Sequence, residues 1–265
     1  MDTTNNSQLT STSALPFSIL HSPFSIPHVS VCFTPALFPH YQYEGCNAVA
    51  IDILRATTSI CTAFMNGAKE VVPVSTVDEL RTYVGTDYLI AAERDGIQLE
   101  FADVGNSPHY FTRDLVEGKT IAFSTTNGTH TINLAARCHS AAIGAFINIS
   151  ALCRWLEADQ RDVLLLCAGW KGRFNLEDSV FAGALAQKLI DSGKFTTICD
   201  SAIAAMDLWS IAKNDLPEYI KKAAHHERLR KINAADAIPY CLNIDATHVV
   251  PFYQNGVLKS EIRNS

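Results

Sequence analysis

A short turn rich in hydroxyl groups is the first place in this chain where residue types and spacing suggest chemistry. The turn Ser124-Thr125-Thr126-Asn127-Gly128-Thr129 stands between an apolar run, residues 119–123, and a helix-like segment, residues 130–137. A strand that ends this way and opens a helix presents backbone N–H groups, hydroxyls and a positive helix end to one point. The predicted ligand is an anion, bound by Thr125, Thr126, Asn127, Gly128 and Thr129. The local alternative is an ordinary turn in which Thr126 or Asn127 caps the helix.

A second polar cluster follows another apolar run. Asp52 comes directly after residues 47–51 and precedes Arg55 by three positions. A carboxylate at the inner end of a buried strand costs free energy unless it is paired or bound to a metal. We therefore expect Asp52 to hold Mg²⁺ while Arg55 grips a phosphate, because oxygen ligands suit that cation and a guanidinium fork suits phosphate. The alternative is a structural ion pair between Asp52 and Arg55.

Three further clusters have the same character. Glu93 and Arg94 end the apolar run 89–92, and Asn106-Ser107 precedes Pro108, where a capped helix start is the simpler interpretation. Residues 168–178 follow the most apolar run of the chain and contain Arg173 and the acidic pair Glu177-Asp178. This last segment is expected to be a mobile basic loop over an anionic substrate, although the acidic pair also suits a helix N-terminus. Together, the five clusters suit phosphoryl transfer to water assisted by a divalent cation.

The elements that must position these residues follow from the apolar periodicity. Strands are predicted at 29–33, 48–54, 70–74, 88–92, 120–124, 141–145 and 163–168, and helices at 57–66, 76–84, 108–116, 128–137 and 149–158. Further helices are predicted at 180–190, 203–213 and 216–231, and residues 249–253 as an edge strand that tolerates Pro251. The fold class is α/β, with three layers and a mostly parallel mixed sheet covered by helices on both faces.

Composition narrows the class of protein. The 265 residues are 48% hydrophobic with a net charge of −6, which favours one large α/β domain over residues 29–265 and argues against a nucleic-acid partner. Residues 221–231 are basic but read as the solvated face of a helix. Eight cysteines without regular spacing indicate a reducing compartment. Residues 1–28 predict a disordered or loosely packed extension, no window predicts a membrane span, and a cytoplasmic location is expected.

The clusters, taken in order, resemble the 2-phosphosulfolactate phosphatase family over approximately residues 29–255. The segments that carry the resemblance are AVAIDILRATTSICTAFMNGAKEVVPV, AAERDG, DVGNSP, TTNGT, IGAFINISAL and LCAGWKGRFNLEDSVFAGAL. The resemblance implies Mg²⁺-dependent hydrolysis of 2-phosphosulfolactate to sulfolactate and phosphate, a step of coenzyme M biosynthesis. It also implies an α/β fold specific to the family rather than a Rossmann domain. Trp170-Lys171 departs from the small or acidic residues expected there, so this loop is expected to help choose the substrate.

The residues that match family motifs are Asp52, Arg55, Glu93, Arg94, Asn106, Ser107, Thr125 to Thr129, Arg173, Glu177 and Asp178. We assign catalysis to Asp52, Arg55, Glu177 and Asp178, and the metal to Asp52, Glu93 and Asp178. The remaining residues, with Arg55, are assigned to the phosphoester substrate, whose second acidic group is expected against Arg94 or Arg173.

The sequence is also compatible with other functions. A dinucleotide-dependent oxidoreductase is disfavoured because no GxGxxG follows an early strand. A non-catalytic module that binds an anion or phosphometabolite and a phosphatase for a different ester stay open. A homodimer is one assembly compatible with the sequence.

Overall fold

The computed structural model describes residues 26–261, which form a mixed sheet with helices on both faces. Its strands are β1 (Val29–Cys32), β2 (Asn47–Ile51), β3 (Glu70–Pro73), β4 (Leu89–Arg94), β5 (Ile97–Gln98), β6 (Thr120–Ser124), β7 (Ser140–Gly144), β8 (Val163–Cys167), β9 (Val250–Gln254) and β10 (Val257–Glu261). Their order in the sheet is β1-β8-β2-β7-β9-β10-β3-β6-β4-β5. The predicted fold class is therefore confirmed.

The predicted helices are found near their expected positions with two exceptions, and α10 has no predicted counterpart. They are α1 (Ala56–Met65), α2 (Val77–Arg81), α3 (Arg113–Val116), α4 (Gly128–Ala135), α5 (Ile149–Asp159), α6 (Leu176–Asp191), α7 (Asp200–Ala212), α8 (Leu216–Ile220), α9 (Ala224–Lys231) and α10 (Ile238–Cys241). The prediction of one helix over 108–116 is wrong, because a 3₁₀ turn at Pro108–Tyr110 precedes α3. The prediction of one helix over 216–231 is also wrong, because the chain turns between α8 and α9 with Ala223 extended.

Two large apolar cores lie on the two faces of β2, and a smaller third cluster packs Leu80 of α2 against β4 and β6. Alternate residues of β2 point to opposite faces, as the period of a strand requires, so Val49 and Ile51 belong to one core and Ala48 and Ala50 to the other. The first core receives α5, α6 and α7, and the second receives α1 and α4. Within residues 26–261, no helix combines the length and the apolar character needed to cross a membrane.

The sheet consists of two parallel groups joined by an antiparallel hairpin. Strands β1, β8, β2 and β7 form one parallel group, and β3, β6 and β4 form the other. The β9–β10 hairpin lies between them, pairing with β7 at Phe252 and with β3 at Leu258. The prediction that residues 249–253 form an edge strand is wrong. Pro251 lies opposite Ser260 in the β9–β10 ladder. On its other side, the described residues pair β9 with β7 only at Phe252 and Ala142, so Pro251 interrupts no long ladder with β7.

The N-terminal extension falls almost entirely outside the described residues, so the prediction for residues 1–25 stays a prediction. Its last residues already belong to the fold. The His28 N–H donates to Asp162 at 2.7 Å, and the Thr196 N–H donates to the Pro27 carbonyl at 3.0 Å.

Candidate active site

Asp52 lies at the carboxyl end of β2, buried at the start of the turn that leads into α1. The Thr57 N–H donates to its carbonyl oxygen at 2.9 Å, and the Ala56 N–H donates to its carboxylate. Burial raises the pKa of Asp52 to about 6; a nearby His225 charge opposes this, and the charges of Glu93 and Glu177 add to it. The carboxylates predicted from separate motifs thus lie close enough to interact through space.

The hydroxyl-rich turn reaches Asp52 from the other parallel group. A Cβ placed on Gly128 would lie 2.8 Å from the Asp52 carboxylate and 2.5 Å from the Ala56 Cβ. Four strands separate β2 from β6 in the sheet order, so this contact means that the two groups turn their carboxyl ends toward each other. Glycine is required here for close approach, since its φ lies outside the positive region.

The hydroxyl-rich turn has backbone N–H donors that are not used in hydrogen bonds within residues 26–261. Asn127 occupies the N-cap position of α4 without a side-chain cap bond, because its Oδ1 accepts the Lys171 N–H at 3.0 Å. Thr125 and Thr129 bond each other, with the Thr125 N–H donating to Thr129 Oγ1 at 2.9 Å. The N–H groups of Asn127 and Gly128 make no hydrogen bond to any described residue. The local alternative of a side-chain cap from Asn127 is therefore not what the turn adopts.

Glu93 and Arg94 connect the ends of β4 and β6. The Glu93 carboxylate accepts the Thr126 N–H at 2.7 Å, the Thr126 hydroxyl at 3.1 Å and the Gly96 N–H at 2.5 Å. Arg94 donates to the Glu93 carbonyl at 2.6 Å and to Ser124 Oγ at 3.0 Å. Both side chains lie at the site as predicted, and their hydrogen bonds hold the hydroxyl-rich turn in place.

Asp178 holds the start of α6 against β2 and β8. Its carboxylate accepts N–H groups from Ile53 at 3.0 Å, from Gly169 at 3.3 Å and from the Asn175 side chain at 2.7 Å. Its pKa is raised well above the ordinary value by burial, and the charges of Asp52 and Glu177 add to the rise. Asp178 is thus next to Asp52, as the sequence predicted.

Glu177 brings in a histidine that the sequence analysis did not single out. Its Oε1 accepts from the Asn175 amide at 3.0 Å and lies 2.8 Å from His225 Nδ1, while its Oε2 is buried without a hydrogen-bond partner among the described residues. The two side chains are 1% and 12% exposed, respectively. His225 lies on α9, so reading residues 221–231 as a solvated face is wrong for this residue.

Arg55 lines a pocket of about 300 Å³ beside the carboxylates. Asn106 and Ser107 also line it, as predicted, and the Asn106 Oδ1 is buried without a partner among the described residues. The pKa of Arg55 is lowered by burial, against which nearby charges including that of Glu93 act. The pocket also contains residues that the motifs missed, namely Gln98, His109, Tyr110, Asn233 and Asp236. Gln98 ends the two-residue strand β5, and the other four lie in turns or short helices that follow no predicted strand, so the apolar pattern did not mark them.

The loop after β8 crosses toward the turn. Lys171 binds Asp95 at 2.6 Å, and its N–H reaches Asn127, so the loop bridges the ends of β8, β4 and β6. Arg173 is exposed and closes the loop through its backbone, with its N–H donating to the Trp170 carbonyl at 3.0 Å. Its assignment to substrate binding stays a prediction.

No group of three or more His, Cys, Asp or Glu side chains within residues 26–261 is arranged to hold a metal ion. The assigned set of Asp52, Glu93 and Asp178 is accordingly not a preformed centre, since hydrogen bonds occupy the last two. A carboxylate with a raised pKa at Asp52 and a buried, unpartnered oxygen at Glu177 nevertheless fit a divalent cation. Mg²⁺ commonly uses only one or two protein carboxylates and completes its shell with water and substrate.

A larger groove of about 560 Å³ lies elsewhere, lined by α5, α6 and α7 with Glu157, Lys188 and Trp209 among its residues. None of the predicted site residues lines it. The chemistry therefore points to the smaller pocket and the adjoining carboxylates. All eight cysteines are free thiols, as their spacing predicted.

Known proteins are similar to this chain over most of its length. The family model described as 2-phosphosulpholactate phosphatase matches residues 32–256, which include every predicted site residue. Three curated relatives bear the name probable 2-phosphosulfolactate phosphatase. The protein from Caldanaerobacter subterraneus is 36% identical over 81% of this chain and 90% of its own, and that from Gloeobacter violaceus is 38% identical over 84% and 94%. The protein from Thermotoga maritima is 37% identical over 83% of this chain and 94% of its own.

Proposed function

Because the chain belongs to the 2-phosphosulpholactate phosphatase family, we propose that it hydrolyses 2-phosphosulfolactate, or a similar small acidic phosphoester, with the help of Mg²⁺. The enzyme class, a phosphoric monoester hydrolase, follows from the family. The substrate rests on the names of the relatives, and the metal on the chemistry of the carboxylates.

The observation that carries the proposal is the contact between Asp52 and the turn at Gly128. It places a buried carboxylate beside free backbone N–H groups and the positive end of α4. Such donors bind phosphoryl oxygens, and they bind them more strongly as negative charge develops during transfer. A carboxylate at the same point suits a metal or a water nucleophile.

Asp52 and Glu177 are the carboxylates best placed to hold Mg²⁺, because Glu177 Oε2 is buried without a partner. Glu93 or Asp178 would each have to give up a hydrogen bond to join them. When bound, Mg²⁺ would withdraw charge from the phosphoryl oxygens. The original set of Asp52, Glu93 and Asp178 remains the competing assignment, and Mg²⁺ binding to single variants separates the two.

The protein groups divide the remaining tasks. Thr125 to Thr129 and Arg55 bind the phosphoryl oxygens, and Asn106 and Ser107 contact the ester from the pocket wall. A carboxylate of the Glu177-Asp178 pair orients the attacking water. We favour direct attack by water over a phosphoaspartyl intermediate on Asp52, because the chain lacks the DxDxT arrangement of haloacid-dehalogenase phosphatases.

The physiological setting extends the same proposal. Hydrolysis of 2-phosphosulfolactate would place the protein in coenzyme M biosynthesis and in the cytoplasm. The proposed partner is the small phosphoester, not nucleic acid, and a homodimer is testable by sedimentation equilibrium.

The deciding experiment measures phosphate release from 2-phosphosulfolactate, 2-phospholactate, 2-phosphoglycerate and glycerol 2-phosphate, with Mg²⁺ and with EDTA. We expect release that depends on Mg²⁺ and is fastest with the sulfonated ester. In the Mg²⁺-binding comparison of single carboxylate variants, Asp207→Asn is the control, because it removes an exposed aspartate of α7 away from the site. If no acidic ester is hydrolysed in a metal-dependent way, the phosphatase proposal fails and the anion-binding module becomes the better account.

A further inference from the structure

Helix α9 places a second basic side chain beside the site. His225 and Arg228 are three residues apart and therefore share one face of the helix. The centre of the His225 ring lies 5.3 Å from that of Trp170, and the Arg228 guanidinium carbon lies 4.1 Å from the Trp170 ring centre. The indole thus contacts both side chains. Such a stack fixes the plane of the guanidinium.

Arg228 differs from its basic neighbours in having no carboxylate within hydrogen-bond or ion-pair distance among the described residues. Arg230 donates two hydrogen bonds to Glu227, and Lys231 lies 3.9 Å from the same carboxylate. For Arg228, no hydrogen bond or ion pair is found among the described residues, and its Nε is buried without a partner. A buried N–H donor without an acceptor is costly, so a ligand that supplied an acceptor here would be favoured.

Arg228 lies near both Glu177 and the turn that is predicted to bind phosphate. The charge of Glu177 acts to raise its pKa, although burial lowers that pKa overall, so the guanidinium lies near the carboxylate side of the site. Trp170 belongs to the loop whose next residue, Lys171, donates to Asn127 of the phosphate-binding turn at 3.0 Å. The stack on Trp170 and the turn are therefore parts of one wall.

The other arginines of the site have different surroundings. Arg94 uses its two terminal nitrogens on the Glu93 carbonyl and on Ser124. Arg55 faces the 300 Å³ pocket beside Asn106 and Ser107. Arg228 is thus the arginine that is both held in place by an aromatic ring and left with free donors.

We propose that Arg228, held against Trp170, binds the sulfonate or carboxylate of the substrate and so selects acidic phosphoesters over simple ones. The proposal rests on the phosphatase function above and adds a residue that determines specificity. A planar guanidinium suits the oxygens of either acid group, whereas a lysine would supply only a point charge. Trp170 acts as a positioning residue, which gives the Trp170-Lys171 departure from the expected pattern a role.

The test compares two esters in Arg228→Met and Arg228→Lys. With 2-phosphosulfolactate, we expect KM to rise roughly 10- to 100-fold in Arg228→Met, because a hydrogen bond to a charged group is lost. We expect kcat to change less than about threefold, since the contact is made in both ground and transition states. With glycerol 2-phosphate, which has no acid group, kcat/KM should stay the same. Arg228→Lys should fall between wild type and Arg228→Met.

Arg230→Met is the matched control, because it removes an exposed arginine from the same helix. Equal losses with both esters, or no change in KM, would overturn the assignment of Arg228. A second measurement, calorimetric binding of sulfolactate in EDTA, needs no turnover. If wild type hydrolyses neither ester, the phosphatase function fails. The inference about Arg228 is still supported in that case if wild type binds sulfolactate and Arg228→Met does not. Absent or unchanged sulfolactate binding contradicts it.

Discussion

The carboxyl group of Asp52 is buried in a place where the fold opposes its ionisation. Burial is the largest cause of its raised pKa of about 6, compared with 3.8 for an exposed aspartate. Because the pKa is higher in the folded state than in the unfolded chain, the unfolded chain releases this proton first as pH rises. The stability associated with protonated Asp52 is therefore complete below about pH 4 and is lost as pH rises through about 6.

Replacing Asp52 with asparagine should remove this loss and also abolish catalysis. In EDTA, we expect Asp52→Asn to be more stable than wild type at pH 8 by up to about 3 kcal/mol, since one pKa unit corresponds to 1.36 kcal/mol. The advantage should shrink to about half of that value at pH 5, because most of the folded protein carries a protonated Asp52 there. Turnover should fall by at least about 100-fold, because several kcal/mol of charge stabilisation are lost.

Urea unfolding at both pH values and phosphate release with Mg²⁺ measure these effects. Added Mg²⁺ should raise the Tm of wild type and leave that of Asp52→Asn unchanged. A variant that retained near-normal turnover would move the metal site away from Asp52.

At the residue scale, the site residues that follow strands could be predicted from the sequence. The site residues on helix α9 could not. Asp52, Glu93, Thr125 and Asp178 each lie at or just beyond a strand or at a helix start, and the continuous apolar runs of the strands mark those positions in the sequence. His225 and Arg228 lie among lysines and glutamates on α9, and the pattern of a solvated helix is the same whether or not one face packs against a tryptophan. Only the tertiary contact with Trp170 distinguishes them.

At the element scale, Glu93 joins β4 and β5 to the turn after β6. Its carboxylate accepts three hydrogen bonds, two of them from backbone N–H groups. Glu93→Gln keeps the shape but replaces one acceptor oxygen by an amide that faces donors. We expect the free energy of unfolding to fall by about 1.5–3 kcal/mol, the range for hydrogen bonds to charged groups. Mg²⁺ binding should persist, because Asp52 and Glu177 are left intact.

Urea unfolding and Mg²⁺ titration calorimetry test this division of roles. Glu100→Gln is the control, since Glu100 is an exposed carboxylate a few residues along the chain. Unchanged stability combined with lost Mg²⁺ binding would instead place Glu93 among the metal ligands.

Elements with strong local signals were predicted well, and those shaped by neighbours were not. Buried strands such as β8 are apolar throughout, which any position in a parallel sheet requires. By contrast, residues 221–223 contain neither glycine nor proline, so nothing local marks the break between α8 and α9. The break lets Ile220 and Ala223 stay buried while α9 turns Leu229 into the core and His225 toward Glu177. Likewise, Pro251 could not reveal how short the pairing of its strand with β7 is.

At the scale of the whole molecule, the site depends on two parallel groups of strands that are not neighbours in sequence order. Asp52 belongs to the first group and Gly128 follows the second, and the β9–β10 hairpin between them comes from the C-terminal part of the chain. Leu258 of this hairpin is fully buried in the core that also contains Ala56 of α1 and Ile132 of α4. The hairpin thus supports the elements on both sides of the Asp52–Gly128 contact.

This arrangement makes the single-domain prediction for residues 29–265 testable through Leu258→Ala. Loss of the buried side chain should cost about 2–5 kcal/mol, and one domain should lose that stability in one step. We expect urea transitions followed by tryptophan fluorescence to coincide with hydrogen exchange of amides in β3, β6 and β4. The fluorescence reports Trp155 and Trp209 beside the first group and Trp170 in the loop after β8. Leu37→Ala, at a half-exposed position, should leave the midpoint unchanged. If the β3-β6-β4 group opens at a urea concentration where the tryptophans remain native, the groups are separate cooperative units, and the Asp52–Gly128 contact is an interface between them.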